Sequence, residues 1–463
     1  MEISMLLEEL IEVAGKPKTD LAISMNMTPS GLSKILTGKR IPMMRERKEF
    51  ARQTAEYFAE AIYCPGCYLK LKNIFPLLYD FETREELKVF LASAVEYSLD
   101  RAFALENNVD INRLDRGVYF FGEEPALNML CIILSDYVPV KEEDPLEIYG
   151  NLEMLHPDFS LIYRRLRISA PERYKNVIFN LFFDKEQLRG LGSEFFTFLN
   201  RTQDIFQINL WEWECEKRRF FLLLKGKAVL QFNSWQEDSI IMIPVTNPGY
   251  LAMFYNVIIG KGAKKVSYSR DEAVSYLEKH PCYVKGLLDK GVDALYNFVS
   301  VGYLLERWEL DGTAADDFLK DAVYQLLNGA LVQNKAFVVS YGAMERFITT
   351  GNIIAPLLGT VNYPEGTRMP YLQRYTSYLR DDMYEGVKIV KIELANMAVL
   401  CAAEMTFVYT IDRRLEVERI HILPSGCVTE MLYKKTLGKK NETLDLTKEL
   451  WEAYQERLSE RKV

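Results

Sequence analysis

The chain has 463 residues, of which 49% are hydrophobic and 12% aromatic, and its formal net charge is −8. This composition supplies enough apolar surface for several buried cores and excludes a disordered chain. The seven cysteines stand singly apart from Cys64 and Cys67, which is typical of reduced intracellular thiols. No run of about 20 apolar residues and no signal-like start are present, so we expect a cytoplasmic protein without a membrane partner.

The stretch from Lys18 to Pro42 has the pattern of two short helices joined by a tight turn. Asn26 lies where the backbone needs a positive φ, which asparagine tolerates better than most residues. Thr28 is suited to cap the second helix and Pro29 to occupy its first turn. Gly38 is a stop signal after it. We therefore predict that the second helix begins at Pro29.

Both short helices carry apolar residues at helical spacing, and longer helices are predicted on either side, over 3–14 and 44–62. The apolar residues are Leu21, Ala22 and Met25 in the first helix and Leu32, Ile35 and Leu36 in the second. The pattern resembles the helix-turn-helix of Cro and lambda-repressor-type (XRE family) DNA-binding domains. The resemblance covers about residues 3–60 and implies an all-α domain over 1–62 that docks its second helix into the DNA major groove.

The resemblance implies a set of DNA-contacting positions, each taken from its place in the motif. These are Lys18, Thr28, Pro29, Ser30, Ser33, Lys34, Lys39 and Arg40. Pro29, Ser30 and Lys34 are expected to face base edges, where a lysine can reach guanine O6 and N7. Pro29 stands where the family often has a polar residue. Ser33 is expected on the same exposed face of the second helix as Ser30 and Lys34. The other positions, at helix N-termini or after the second helix, are expected to contact phosphates.

The charge distribution agrees with this interpretation. Residues 16–52 contain nine lysines or arginines and three acidic residues, a local charge of +6 on an acidic chain. A basic island of this kind is typical of a DNA-contacting module. A helical hairpin with a merely solvated basic face would also carry this charge, but it would not explain why the turn, cap and stop signals agree.

The sequence after residue 62 predicts further regions and therefore a multidomain protein. Residues 63–140 are predicted as a helical linker or dimerisation region. An α/β (or α+β) sensor unit is predicted over 141–270 and a second mixed helix and strand unit over 271–463. Helices are predicted at about 67–79, 83–106, 124–137, 186–200, 247–259, 270–332 and 446–461. Strands are predicted at 176–183, 205–213, 220–224, 228–232, 239–245, 336–340, 387–394, 404–410, 415–423 and 427–433. The Gly- and Pro-rich segment 359–370 is predicted as a loop.

The order strand, hairpin, strand, helix occurs in 205–259 and again after residue 387, which indicates two related units. An aromatic cluster between residues 206 and 235 is interpreted mainly as core packing and secondarily as an effector pocket. Its members are Phe206, Trp211, Trp213, Phe220, Phe221, Phe232 and Trp235.

Few residues point to chemistry. Cys64 and Cys67 have metal or redox spacing, but no second pair lies nearby, which favours a structural turn. The three histidines, His156, His280 and His421, are not spaced as metal ligands or as part of a catalytic triad, so structural roles are favoured. We therefore expect no metal, no cofactor and no catalytic residues.

Taken together, these features predict a cytoplasmic, bacterial or phage-type transcriptional regulator that binds double-stranded DNA as a homodimer. Its C-terminal region would sense an unidentified small-molecule or protein effector, or drive oligomerisation. One alternative is an enzyme or defence-associated effector that carries an autoregulatory DNA-binding domain. Another is a protein–protein adaptor whose helical hairpin binds a partner protein.

Overall fold

The structure is a computed structural model that describes residues 1–106, 119–137, 145–151, 166–168, 176–192, 194–213, 220–234, 240–260, 262–333, 336–380, 387–392, 394–412, 414–415, 417–436, 443–445, 453 and 456. It divides into two compact units, Met1–Phe182 with Cys215–Ala263 and Phe183–Glu214 with Lys264–Val463. The N-terminal region is helical, and mixed α/β sheets follow it. None of the described helices is long and apolar enough to cross a bilayer.

The described helices differ widely in length. They are α1 Ile3–Ala14, α2 Lys18–Ser24, α3 Pro29–Leu36, α4 Arg47–Ile62, α5 Arg84–Glu106, α6 Glu123–Tyr137, α7 Lys185–Leu191, α8 Glu194–Thr202, α9 Pro248–Gly260, α10 Arg270–Lys279, α11 Tyr283–Asp289, α12 Asp317–Gln333, α13 Tyr341–Thr350, α14 Glu365–Arg380 and α15 Ser425–Thr436. Short 3-10 helices occupy Met44–Glu46, Cys67–Leu69 and Arg307–Gly312.

The strands are mostly short and form mixed sheets. They are β1 Leu77–Tyr79, β2 Phe120–Phe121, β3 Leu146–Asn151, β4 Leu166–Ile168, β5 Val177–Phe183, β6 Gln207–Glu212, β7 Phe220–Leu224, β8 Ala228–Ser234, β9 Ile240–Val245, β10 Lys264–Lys265, β11 Ser267–Ser269, β12 Val292–Asn297, β13 Ala336–Ser340, β14 Asn352–Ala355, β15 Gly359–Asn362, β16 Val387–Val390, β17 Met397–Ala402, β18 Met405–Ile411, β19 Glu418–Pro424 and β20 Thr443–Asp445.

In the first unit, the helical region packs against a long helix and then leads into a sheet. α4 lies along α5, and an ion pair between Arg47 and Asp100 joins them. Asp136 at the end of α6 accepts hydrogen bonds from Tyr97 of α5 at 2.8 Å and pairs with Arg101. The sheet of this unit has the strand order β5-β3-β7-β8-β9-β2, with β3 and β5 parallel and the other pairs antiparallel.

In the second unit, the main sheet has the order β11-β19-β18-β17-β12-β13-β16-β20. The pairs β12–β13 and β13–β16 are parallel and the others antiparallel. Helices α10, α11 and α12 pack together, and α10 and α12 contact strands of this sheet. α15 lies on the opposite face, against β17, β18 and β19 and beside the buried Cys401.

One arrangement of five strands is present in each unit. It runs β5-β3-β7-β8-β9 in the first unit and β13-β12-β17-β18-β19 in the second. In both, the first pair is parallel, the next is antiparallel, and the last three strands form a meander followed directly by a helix, α9 or α15. The predicted order of elements indicated a recurrence with other boundaries: its first strand, 205–213, contains β6 of the second unit, and its last strand, 427–433, is helical.

Several local predictions were wrong. The helix predicted over 67–79 is a 3-10 turn followed by the fully buried strand β1, because a short apolar run suits a buried strand as well as a helix. The helical stretch 270–332 contains β12, and the predicted loop 359–370 contains β15 and the start of α14, with Pro370 inside that helix. The predicted helix 446–461 lies almost wholly outside the described residues.

The strand predicted over 427–433 is part of α15. Val428 and Thr429 favour a strand by propensity, but Val428, Met431 and Leu432 are spaced three and four residues apart. Val428 and Leu432 are completely buried. The burial of these helically spaced residues against the sheet therefore outweighed the strand propensity of Val428 and Thr429.

Candidate nucleic-acid interface

The turn between α2 and α3 forms as the sequence predicts. Asn26 has a φ of 51°, and the backbone N–H of Met27 donates to the carbonyl of Ala22 at 2.9 Å. The Thr28 side chain accepts a hydrogen bond from the Gly31 N–H at 3.1 Å, and Pro29 begins the helix. These bonds fix the direction in which α3 leaves the turn.

Each of the helices α2 and α3 has one buried face and one exposed face. Leu21 and Ala22 of α2 and Leu32, Ile35 and Leu36 of α3 are buried, and both helices contact α1 or α4. Full burial of a leucine or isoleucine side chain contributes about 1.5–3 kcal/mol. The orientation of α3 is therefore fixed by its apolar face, and its other face is left to solvent.

All the DNA-contacting positions implied by the resemblance are exposed. They are Lys18, Thr28, Pro29, Ser30, Ser33, Lys34, Lys39 and Arg40. Ser30, Ser33 and Lys34 are three and four residues apart and therefore share one face of α3. The structure places that face in solvent, where a partner can reach it.

The cationic side chains among these exposed positions differ in whether they form an ion pair. Among the described ion pairs, none includes the side chain of Lys34, Lys39 or Arg40, whereas Lys18 pairs with Glu8 at 3.2 Å. Both partners of that pair are more than half exposed, and such pairs contribute little to stability. The backbone N–H groups of Lys39 and Arg40 both donate to the carbonyl of Lys34, so these cations are held at the C-terminal end of α3.

Two more exposed lysines belong to the same basic segment. Lys16 precedes α2 by two residues and Lys48 lies in the first turn of α4. Both contribute to the local charge of +6, but they lie outside the helix-turn-helix and so match no position of the motif. Their exposure adds them to the basic surface of this region.

The cysteine pair has the environment of a structural turn. Gly66 has a φ of 73°, and the Cys67 N–H donates to the Cys64 carbonyl at 2.9 Å. Burial raises the pKa of the Cys67 thiol, the opposite of what a reactive or metal-binding thiolate needs. In the part of the chain that the structure describes, no group of three or more potential ligands is arranged to hold a metal ion.

His421 is a fully buried histidine with a partner on each ring nitrogen. Its Nδ1 lies 2.6 Å from Ser267 Oγ and its Nε2 lies 3.2 Å from Thr410 Oγ1. Ser267 Oγ also accepts the Leu210 N–H at 2.6 Å. Burial together with the nearby Arg419 lowers the pKa of the ring to about 3, so the ring is neutral at neutral pH. The ring of His421 in β19 contacts side chains of β11 and β18, which is a structural role. His156 lies outside the described residues.

The described members of the predicted aromatic cluster are divided between the two units. Phe220 and Phe232 stack in the core of the first unit with ring centroids 4.3 Å apart, and Phe221 is buried beside them. Phe206, Trp211 and Trp213 belong to the second unit and are half-buried. Trp235 lies outside the described residues.

Comparison of the chain with protein-family models, with curated proteins and with solved structures found no match. The function must therefore be argued from the residues themselves.

Proposed function

We propose that this chain is a sequence-specific DNA-binding transcriptional regulator that presents α3 to the DNA major groove. The observation that carries the proposal is the exposed face of α3. Ser30, Ser33 and Lys34 lie together on a capped helix whose orientation is fixed by its buried face. Lys39 and Arg40 stand at the end of the same helix, outside any described ion pair.

The two sets of residues would act differently on DNA. Ser30 and Lys34 would read base edges, because a hydroxyl and an ammonium group can donate to acceptors in the major groove. Lys18, Lys39 and Arg40 would contact phosphates, which fixes the position of the protein without reading sequence. In a homodimer, two copies of α3 would read half-sites about one helical turn apart.

The proposal is tested by measuring affinity for DNA tiled over the region upstream of the protein's own gene. Fluorescence anisotropy would compare the unmodified chain with Lys34→Ala and Ser30→Ala. Loss of a specific base contact costs about 1–3 kcal/mol, so the preferred duplex should bind about fivefold to 150-fold more weakly. Lys279→Ala is the matched control, since Lys279 is an exposed lysine on α10 in the other unit.

The outcomes separate the proposal from its rivals. Selective binding that Lys34→Ala weakens and Lys279→Ala does not would support it. Binding that the α3 variants leave unchanged would contradict the assignment of α3. No binding to any duplex would favour a protein partner for this surface.

A further inference from the structure

Helix α9, which follows the last strand of the five-strand arrangement in the first unit, contains no charged residue over its 13 positions. One face packs on the sheet of its unit. Leu251 and Ile258 are buried there, and the ring of Phe254 meets that of Phe221 edge to face with centroids 5.3 Å apart. The opposite face is exposed although it too is uncharged. Helices that are apolar all round are normally buried on every side, so this face has the character of a contact surface.

The exposed face of α9 has the spacing of a helix–helix seam. Met253 is 56% exposed and Val257, one turn further on, is 44% exposed. Along the seam, exposed residues recur at intervals of four, three and four positions, the spacing at which paired helices keep one face in contact. Small residues at both ends allow a second backbone to approach closely. The residues of the seam are Gly249, Met253, Asn256 and Gly260.

The corresponding helix of the second unit, α15, has charges where α9 has none. Both helices follow the last strand of the shared arrangement, and the fourth residue of each is buried against its sheet. In this alignment Met253 stands in the place of Glu430, and Val257 stands in the place of Lys434. Those two residues of α15 form an ion pair at 2.6 Å in which both side chains are exposed. The face of α15 is therefore suited to water, whereas α9 has an apolar pair at the same two positions.

The chemistry of the α9 face fits a second copy of itself. Because the helix has no charge, two copies can meet without repulsion between like charges. Asn256 carries both a donor and an acceptor in its side chain, so two copies of it can hydrogen-bond to each other across a two-fold axis. A single asparagine in an otherwise apolar seam is also a known means of fixing the register of paired helices.

We propose that α9 is the interface of a homodimer, in which Met253 and Val257 pack against the same face of a second copy and the two Asn256 side chains pair across the axis. A helix of this length spans about 20 Å, so the interface is small. We therefore expect a reversible dimer with a Kd on the order of 10 µM. The inference goes beyond DNA binding and does not rest on it, because every observation that carries it concerns α9 and α15.

Sedimentation velocity on the full chain, over about 1–100 µM, measures the dimer by mass action. The double variant Met253→Glu/Val257→Lys transfers the ion pair of α15 to α9. Its charges would have to be buried in the interface, so Kd should rise at least about tenfold. The matched control is Glu430→Lys/Lys434→Glu, which reverses the ion pair on α15 and should leave Kd unchanged. Both double variants keep the net charge of the chain.

The position of the axis is tested by two substitutions of Asn256. Asn256→Asp has nearly the same shape but brings two carboxylates together, so at neutral pH it should also raise Kd at least about tenfold. Asn256→Cys should give a disulfide between the two introduced thiols when diamide is added. Tyr433→Cys, at the matching exposed position of α15, should give none. Peptide mapping distinguishes these products from crosslinks through the exposed Cys282.

Three results would overturn the proposal. They are a monomeric unmodified chain over the whole concentration range, an unchanged Kd in both Met253→Glu/Val257→Lys and Asn256→Asp, or an equal rise of Kd in the α15 control. Absence of the Asn256→Cys crosslink in a dimer that the other α9 variants weaken would overturn the pairing of Asn256 across the axis. Circular dichroism melts show that each variant is folded. No DNA is present in these experiments, so their results are independent of whether the chain binds it.

Discussion

Asn26 determines the path of the chain between α2 and α3. Its φ of 51° is in the left-handed region, which costs other residues about 1–2 kcal/mol and β-branched residues most. We predict that Asn26→Gly leaves the turn intact and that Asn26→Val weakens it by about 1–2 kcal/mol. Hydrogen exchange of the α2 and α3 amides, followed by mass spectrometry, measures this local stability.

The glycine variant is the control for loss of the asparagine side chain. If both variants increased exchange equally, the side chain rather than the backbone conformation would be responsible. Protection of α12 amides, which belong to the other unit, should be the same in all three proteins.

His421 makes the stability of the second unit depend on pH. Its folded pKa is lowered to about 3 by burial, whereas an exposed histidine in the unfolded chain has its ordinary pKa of about 6.5. The unfolded state therefore binds the proton first, and stability that is present above about pH 6.5 is lost as the pH falls. Between about pH 7.5 and about pH 5.5 the loss should be about 1.4 kcal/mol.

Chemical denaturation of the chain and of His421→Gln at these two pH values tests the prediction. Glutamine is neutral throughout and can still hydrogen-bond Ser267 or Thr410. The variant should be less stable at the higher pH but should lack the dependence between the two values. An equal pH dependence in both proteins would show that another group is responsible.

For single residues, the sequence predicted the backbone conformation where that conformation depends on neighbouring residues. The cap at Thr28 and the positive φ at Asn26 follow from neighbouring residues and were confirmed. The contacts of His421 with Ser267 and Thr410 could not be predicted in this way, because the three residues come from different strands and meet only after the sheet has formed. His421 alternates with its neighbours like any core residue, and nothing local distinguishes it.

A buried ion pair attaches α14 to the 3-10 helix Arg307–Gly312. Arg374 donates to both oxygens of Glu309, at 2.5 and 2.7 Å, and Glu309 is 9% exposed. Burial raises the pKa of Glu309, but the hydrogen bonds from Arg374 and from the Glu306 N–H act together with the positive charge of Arg374 and leave it lowered. We predict that Arg374→Ala costs about 3–5 kcal/mol, because it leaves a buried carboxylate without its partner.

A double variant distinguishes lost pairing from lost packing. Glu309→Gln combined with Arg374→Met removes both charges and retains most of the volume, so it should be clearly more stable than Arg374→Ala. Denaturant midpoints of the single and double variants measure this. If the double variant were as unstable as the single one, the unpaired charge would not be the cause.

Elements were predicted well where amphipathic spacing and end signals coincide. α1 is predicted and observed over residues 3–14, where its apolar residues Ile3, Leu6, Leu7, Leu10 and Ile11 are buried. The segment 427–433 of α15 was predicted as a strand, although Val428, Met431 and Leu432 have helical spacing. Its assignment follows from the sheet face that its apolar residues cover, and that face is known only from the fold.

On the scale of the whole molecule, the predicted order of elements did not locate the arrangement that the two units share. The segment predicted as the last strand of the second copy, 427–433, is part of α15, and the arrangement of five strands follows only from the strand pairings. The sequence could not show that β3 and β12 each lie between a parallel and an antiparallel neighbour. Those pairings join strands that are distant in the chain, and no local pattern encodes them.

The salt dependence of DNA binding should reveal how many copies of the chain bind one site. Lys18, Lys39 and Arg40 are the cationic residues among the predicted phosphate contacts. If each neutralises one phosphate, log K against log salt concentration should have a slope of about −2.7 for one chain and about −5.4 for a homodimer. Anisotropy titrations over a range of salt concentrations measure the slope directly.

The double variant Lys39→Ala/Arg40→Ala calibrates this measurement. It removes two phosphate contacts per chain, so the slope should become less negative by about 1.8 for one chain and about 3.6 for two. Lys279→Ala/Lys285→Ala, which changes exposed lysines of the other unit, should leave it unchanged. The change in slope counts the chains on the DNA even if other cations also contribute, because their contribution is the same before and after the substitution. A slope that the Lys39→Ala/Arg40→Ala variant does not alter would exclude these residues from the phosphate contacts.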